Sequence, residues 1–490
     1  MKPEAIIASD IRVVQAGRTL LDGISFRLNA GDHLAITGKS GSGKTSLARV
    51  MAGLLFSQGK IEYQQADQSS SIRIAYMPPS ETWKNHSNVS DFYYQQRFNS
   101  CDAEDVETVA ISLGKNQKDQ TAIDHWLEQF QLAHRRNAPL IQLSNGEQKK
   151  LQLIRHLLQQ PDVLIIDQAF TGLDTGSRDT LLEVLEKISA TTTLVIITDH
   201  HILPAFITQV AELNDGRLQQ WTSRENYQPK TENKHVFATQ FLPLTVHAYS
   251  EEAVIDMQDV TIKYGEKKLL QHINWTVRNG EGWLIRGHNG AGKSTLLSLI
   301  TADNPQAYSQ NIKLFGRRRG SGESIWDIKK QIGFVSPELH KFFDTGITVY
   351  QAIGSGFFDI MGLYRQLSKE QNDAVLRWML VLGLEEKANQ PLSALPAGQQ
   401  RWVLIARAMV KQPKVLALDE PCQGLDAAQS EAFLSLVTKL HAATNVTLLY
   451  ISHYATEVPA SVNNLLELEN GKIKKIISHH HHQQQAITQQ

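Results

Sequence analysis

Two copies of one phosphate-gripping pattern, about 250 residues apart, constrain this chain more than any other feature. GKSGSGKT runs from Gly38 to Thr45, and GHNGAGKS runs from Gly287 to Ser294. The flanks repeat too. LLDGISFRLNAGDHLAITGKSGSGKT from Leu20 matches LLQHINWTVRNGEGWLIRGHNGAGKS from Leu269. Such a period is too long for a solenoid and suits a duplicated globular domain. Each half runs strands, glycine loop, helix, a variable helical stretch, a second helix start, an apolar strand, a helix and another apolar strand. Strands alternating with helices give α/β domains with a largely parallel core sheet. The expected fold class is therefore α/β, two tandem P-loop NTPase domains. The expected bounds are 5–222 and 253–477, with a polar, aperiodic linker at 223–252 and a disordered tail at 478–490, which has no apolar pattern.

Bulk properties exclude several classes. The 490 residues, 41% hydrophobic, can build large cores. A net charge of −1 gives no global pull toward nucleic acid or anionic membrane. Two cysteines, Cys101 and Cys422, make no disulfide framework, and a reducing cytosol is the simplest reading. No stretch approaches the ~20 apolar residues of a membrane-spanning helix. MKPEAIIASD carries charges where a secretion signal would carry its apolar core. The expected location is cytoplasmic, or peripheral at the inner face of the membrane through partners. The run His479–His482 could bind metal, but a frayed tail or an expression remnant is the preferred reading.

A G-x-x-x-x-G-K-[S/T] loop wraps phosphates with backbone N–H groups while its lysine neutralises charge and its hydroxyl holds Mg²⁺. In the first half the expected ATP-binding set is Gly38, Lys39, Ser40, Gly41, Ser42, Gly43, Lys44 and Thr45. In the second it is Gly287, His288, Asn289, Gly290, Ala291, Gly292, Lys293 and Ser294. Each loop follows a strand-like run (HLAIT, WLIR) and opens a helix-like run (SLARVMAG, TLLSLI), as phosphate binding at a helix N-terminus requires. Two further apolar strands end in aspartate, VLIID at Asp167 and VLALD at Asp419. Each aspartate is of the type that supplies the second Mg²⁺ carboxylate, so Mg²⁺ is expected on Thr45 with Asp167 and on Ser294 with Asp419. Glu420 follows Asp419 and is placed to act on the attacking water. Gln168 follows Asp167, and an amide can orient water but cannot accept its proton at neutral pH.

Ahead of the aspartates lie LSNGEQKK (Leu143 to Lys150) and LPAGQQR (Leu395 to Arg401); after them come TGLD and QGLD, ending at Asp174 and Asp426, and a late ISH with His453. This ordered set resembles the ATP-binding-cassette (ABC) ATPases over nearly the whole chain, and the set is highly specific. The resemblance implies domains of ABC-ATPase type, each with a helical subdomain, that hydrolyse ATP with Mg²⁺. It also implies a head-to-tail stack in which each ATP sits between one domain's loop and the other's signature. Carried over, one site joins Lys44, Thr45 and Asp167 to the second signature. The other joins Lys293, Ser294, Asp419, Glu420 and His453 to the first, with Ser144 and Gly146 facing the ATP and Tyr264 stacking on adenine. Gln168, Pro396 (for the signature serine) and Gln15 (aligned with Tyr264) are departures from different segments, yet all fall in the first composite site. That clustering favours an intramolecular sandwich of the two domains. In the first half TDHH leaves Asp199 or His200 for the late-histidine slot, with His200 preferred. The glutamine that senses the γ-phosphate beside the membrane-domain contact in transporter ATPases is replaced in both halves, by Pro79 in IAYMPPS and Pro337 in IGFVSPE.

The run from Ser294 through His340, containing GRRRGSGESIWD, resembles the ModF-type, photorepair-protein-like branch of tandem ABC ATPases, associated by name with molybdate transport. This implies an ATP-binding component linked to an ABC transporter, with membrane permease subunits as partners. The alternative is a soluble, non-transport ABC ATPase acting on ribosomes or nucleic-acid-associated partners. The replaced glutamines weigh against the first, and the short mixed linker weighs against the second. Arg317, Arg318, Arg319, Glu323, Trp326 and Asp327 form a charged and aromatic segment with two open readings: a grip on phosphate or an acidic partner, or a solvated loop pinned by local ion pairs.

Overall fold

A computed structural model describes residues 2–15, 17–39, 41–65, 71–79, 107–115, 119–140, 143, 145–170, 173, 175–198, 203–228, 237–241, 253–264, 267–336, 339, 343–344, 346–454 and 457–478. Those up to 228 form one compact unit and those from 237 on form another.

In chain order the first unit has β1 (Ala5–Gln15), β2 (Arg18–Asn29), β3 (Leu34–Gly38), α1 (Lys44–Met51), β4 (Gln58–Gln64), β5 (Ile74–Met77), α2 (Val109–Gly114), α3 (Gln120–Gln129), α4 (Asn145–Leu157), β6 (Val163–Asp167), α5 (Thr175–Ser189), β7 (Thr193–Ile197), β8 (Gln209–Asn214) and β9 (Arg217–Ser223). The core sheet runs β5-β6-β7-β3-β8-β9, parallel except for the returning β9. A smaller antiparallel sheet, β2-β1-β4, stands beside it.

The second unit has β10 (Ala253–Tyr264), β11 (Lys267–Arg278), β12 (Gly282–Arg286), α6 (Lys293–Ile300), β13 (Asn311–Leu314), β14 (Arg317–Arg318), α7 (Ile325–Lys329), β15 (Ile332–Val335), α8 (Val349–Gly354), α9 (Lys369–Leu382), α10 (Ala397–Met409), β16 (Val415–Asp419), α11 (Ala427–Thr444), β17 (Thr447–Ile451), β18 (Asn464–Glu469) and β19 (Lys472–Ile477). Its core sheet, β15-β16-β17-β12-β18-β19, repeats the first order strand for strand. Its antiparallel sheet, β11-β10-β13-β14, has a short hairpin strand with no described counterpart in the first unit.

The central strands β6, β7 and β17 are buried at every position because both faces of a parallel sheet are covered. Side chains alternate between faces, so one strand feeds two cores. In β6, Val163 and Ile165 join the cluster built with α1 and the antiparallel sheet. Leu164 and Ile166 join the cluster built with α2, α3 and α4. In β16, Val415 and Ala417 go one way, and Leu416 and Leu418 the other. Each such fully buried side chain contributes roughly 1.5–3 kcal/mol by burial. The helices α2–α4, and in the second unit α8–α10, thus form a helical part on one sheet face, as the ABC resemblance implies.

Two aromatic residues within the stretch read as linker are packed down. Tyr227 packs on the first unit's core and its hydroxyl lies 3.2 Å from Thr37 Oγ1. Phe237 is buried edge-on against Trp402, ring centroids 5.0 Å apart. Among the described residues no helix is long and apolar enough to cross a membrane. Cys101 and the run His479–His482 lie outside the described residues. Cys422 is buried, its Sγ 3.5 Å from the Tyr450 hydroxyl, and burial pushes its thiol up to about 12.

Candidate functional site

Each glycine loop leaves the end of a central strand, β3 or β12, and turns directly into a helix, α1 or α6. Gly43 and Gly292 make that turn possible. Both are helix N-caps in the left-handed region, at φ 101 and 106. A Cβ at either would meet a backbone oxygen, Leu20 O at 2.8 Å or Leu269 O at 2.9 Å. The first N–H groups of the helix therefore point into the loop, where an anion is favoured. Lys44 Nζ donates back to Gly38 O at 2.5 Å and Lys39 O at 2.6 Å. Lys293 Nζ does the same to Gly287 O at 2.7 Å and His288 O at 3.1 Å. Both ammoniums are thereby aimed across the loop they would share with a phosphate.

The strand-end aspartates lie near the loops. Thr45 Oγ1 donates to Asp167 Oδ2 at 2.7 Å, and Tyr76 donates to the same oxygen at 3.2 Å. Asp167 Oδ1 is buried and, among the described residues, has no hydrogen-bond partner. Burial raises the Asp167 carboxyl above its ordinary range, opposed by the Thr45 and Tyr76 hydrogen bonds. Hard oxygen donors close together, one of them buried and unsatisfied, suit Mg²⁺, which takes one or two protein oxygens beside phosphate and water. In the second unit Ser294 stands in the first turn of α6 and Asp419 ends β16.

The residue after each aspartate has a left-handed backbone, Gln168 at φ 52 and Glu420 at φ 44. For a residue with a Cβ this costs on the order of 1–2 kcal/mol and must be held by its surroundings. One restraint is shared. The Gln168 amide donates to Ile197 O at 3.1 Å, and the Glu420 amide to Ile451 O at 3.0 Å. In the second unit the strand ends also bring Glu420 Oε1 within 2.7 Å of His453 Nε2, a contact without full hydrogen-bond alignment.

The signature segments open α4 and α10. Gly146 is buried in the first turn of α4, and Ser144 lies outside the described residues. Pro396 is the N-cap of α10 and offers no side-chain cap. Asp426 caps α11 by accepting from the Gln429 amide at 2.8 Å. Asp174, Asp199, His200, Ser40 and Pro337 lie outside the described residues. Gln15 and Tyr264 each end the first strand of their unit, paired with Arg18 and Lys267, which supports their alignment. The Tyr264 ring packs on the core, and burial raises its phenol.

In the arginine-rich segment Arg319 is buried, its Nη1 2.6 Å from Glu323 Oε1 and its guanidinium 4.7 Å over the Tyr308 ring. That ion pair pins the loop. Arg317, Arg318 and Trp326 remain exposed.

Three contacts have no motif behind them. Tyr76 on Asp167 is one; its second-unit counterpart is Phe334. The others are Lys149 and Arg401, three residues past the signature glycines Gly146 and Gly398, each buried and bonded to backbone carbonyls at the site. A cation repeated at one offset in both signatures was the available signal.

Comparison with known proteins agrees with this geometry. The ABC transporter family pattern matches residues 21–171 and 270–423. The ABC transporter ATP-binding protein ModF of Escherichia coli is 35% identical over 457 residues, 90% of this chain and 92% of the relative. An uncharacterized ABC transporter ATP-binding protein of Schizosaccharomyces pombe is 30% identical over 478 residues, 93% of this chain and 96% of the relative. A putative ABC transporter ATP-binding protein of Methanosarcina mazei is 26% identical over 462 residues. With two matched regions, two glycine loops that turn into helices and relatives matched over nearly their whole length, the chain belongs to the ABC transporter family, as a tandem ATP-hydrolysing ABC ATPase.

Proposed function

We propose that the chain binds ATP with Mg²⁺ at both loops, closes its two domains on each other as an intramolecular sandwich, and hydrolyses ATP chiefly at the site holding Lys293, Ser294, Asp419, Glu420 and His453. The observation that carries this is the Glu420–His453 pair, 2.7 Å apart at the ends of neighbouring strands. Water attacks the γ-phosphorus, its proton passes to the Glu420 carboxylate, and the bond to the ADP oxygen breaks, leaving ADP and phosphate. Lys293 neutralises phosphate charge, and His453, beside Glu420, holds its carboxylate in place. Mg²⁺, when bound, offsets charge between the phosphates. The other site has Gln168 for the base and, in the sandwich, Pro396 for the signature serine, so it holds ATP rather than cleaving it.

A positioned general base is typically worth ~10²–10⁴ in rate. Glu420→Gln should therefore remove nearly all steady-state ATPase while ATP binding persists. Turnover within tenfold of wild type would defeat this assignment.

The ModF-type resemblance favours an ATP-binding component linked to an ABC transporter, with molybdate as the cargo that the association suggests and the inner membrane face as its place of work. Action on ribosomes or nucleic acid is the alternative, supported by the loss of the transporter-coupling glutamine from both halves. Pull-down from a gentle membrane extract separates them: permease subunits support the first, and ribosomal components the second.

A further inference from the structure

In each unit one buried cation from the signature helix ties together the two loops that flank the reacting end of the sheet. In the first, Lys149 Nζ donates to Pro79 O at 3.0 Å, in the loop after β5, and to Gln168 O at 2.9 Å, directly after β6. In the second, Arg401 Nη1 donates to Ser336 O at 2.9 Å, after β15, and Nη2 to Gln423 O at 3.2 Å, after β16. Gln423 in turn donates its amide to Glu420 O at 3.1 Å. Arg401 is thus one peptide away from the residue whose left-handed backbone aims the proposed base. The loops after β5 and β15 are those where the expected glutamine is replaced by Pro79 and Pro337. Both cations are buried, and burial lowers Lys149 to about 8 and Arg401 to about 10. Burying a cation is costly even where, as for Lys149, a nearby carboxylate (Asp167) offsets part of it, and removing one of its carbonyl partners costs more. A device that costs this much and recurs at one offset in two diverged halves needs an explanation beyond packing.

We propose that Lys149 and Arg401 are positioning residues that lock the signature helix to the strand-end loops, so that Arg401 sets the backbone of Glu420 by a fixed tie. This rests on the hydrolytic reading of Glu420 given above. A fixed tie means the helical part and the strand-end loops move as one body when a signature engages nucleotide. Lysine reaches the residue after Asp167 itself, whereas the longer, forked arginine reaches three residues beyond Glu420 and acts through Gln423.

The test is steady-state ATPase and ATP titration on full-length Arg401→Ala, Arg401→Lys and Glu420→Gln chains and on the Arg401→Ala/Glu420→Gln double variant. Removing a residue that orients a reacting group typically costs about 10–100-fold. Arg401→Ala should lower kcat by about that factor with KM for ATP nearly unchanged, and Arg401→Lys should recover most of it. On the Glu420→Gln background, single-turnover rates should show no further loss, because Arg401 acts through that residue. If Arg401→Ala fails to fold, Arg401→Gln, which keeps the bulk and a donor but not the charge, replaces it. A kcat within about twofold of wild type, or an equal loss with and without Glu420, would overturn the proposal. Full turnover by Glu420→Gln alone would instead sink the hydrolytic reading, and this inference with it.

Discussion

Thr45 and Tyr76 converge on one oxygen of Asp167, and the second unit has Phe334 where Tyr76 stands. The phenol fixes the carboxylate orientation on the side proposed to hold nucleotide rather than cleave it. A hydrogen bond to a charged group contributes about 1.5–3 kcal/mol. Tyr76→Phe should therefore weaken Mg²⁺-dependent ATP retention at the first loop by about tenfold or more, with little change in steady-state ATPase. Off-rates of a fluorescent ATP analogue from the Glu420→Gln chain measure this; unchanged retention would leave Tyr76 without the role. The loops and aspartates could be read from sequence because their chemistry is local: glycines, lysine and hydroxyl lie within eight residues. The contacts of Tyr76 and Arg401 could not, because their partners stand 91 and 65 residues away and only the fold brings them close; for Arg401 the sequence offered the repeated cation but not what it touches.

Among elements, the short parallel strands were legible because both faces are buried and the sequence is continuously apolar over strand length. The antiparallel strands were less so. β1 and β10 alternate and then shift register at bulges, which interrupts the period of two. Phe237 and Tyr227 read as linker because a lone aromatic in a polar run carries no period. The meeting of β3 and β7 offers a pH test. His33 is buried at the entrance to β3, and its Nδ1 accepts from the Leu194 amide of β7 at 3.0 Å, which requires the neutral ring. Burial, with a smaller contribution from Lys2, lowers it to about 4 from the usual 6.5. The unfolded chain then binds the extra proton first as pH falls. The stability His33 gives is complete above about 6.5 and fades toward 4, by roughly 1–2 kcal/mol after screening. His33→Asn should lower the melting midpoint more at pH 7.5 than at pH 4.5. An equal difference at both would show that the ring does not titrate there.

At the scale of the whole molecule, both loops should fill, giving two ATP per chain by titration, and Lys44→Ala and Lys293→Ala should each remove one. In single-turnover hydrolysis with both bound, about one should be cleaved quickly and the other about 10²–10⁴-fold more slowly. Similar rates would end the division of labour. The duplication itself was plain in the sequence, whereas the strand-for-strand identity of the two core sheets, and the extra β14 hairpin, needed coordinates because strand order is a nonlocal property. Gln168 keeps the left-handed turn of Glu420 although it has lost the carboxylate. On the proposed reading, the first unit bears the same backbone strain as the second without the group that would use it. Gln168→Glu alone should restore little, since Pro396 remains, but Gln168→Glu with Pro396→Ser on the Glu420→Gln background needs no rebuilding of the main chain to revive hydrolysis. A shared dihedral angle thus makes two side-chain exchanges the whole distance between the proposed holding site and a second proposed cleaving one.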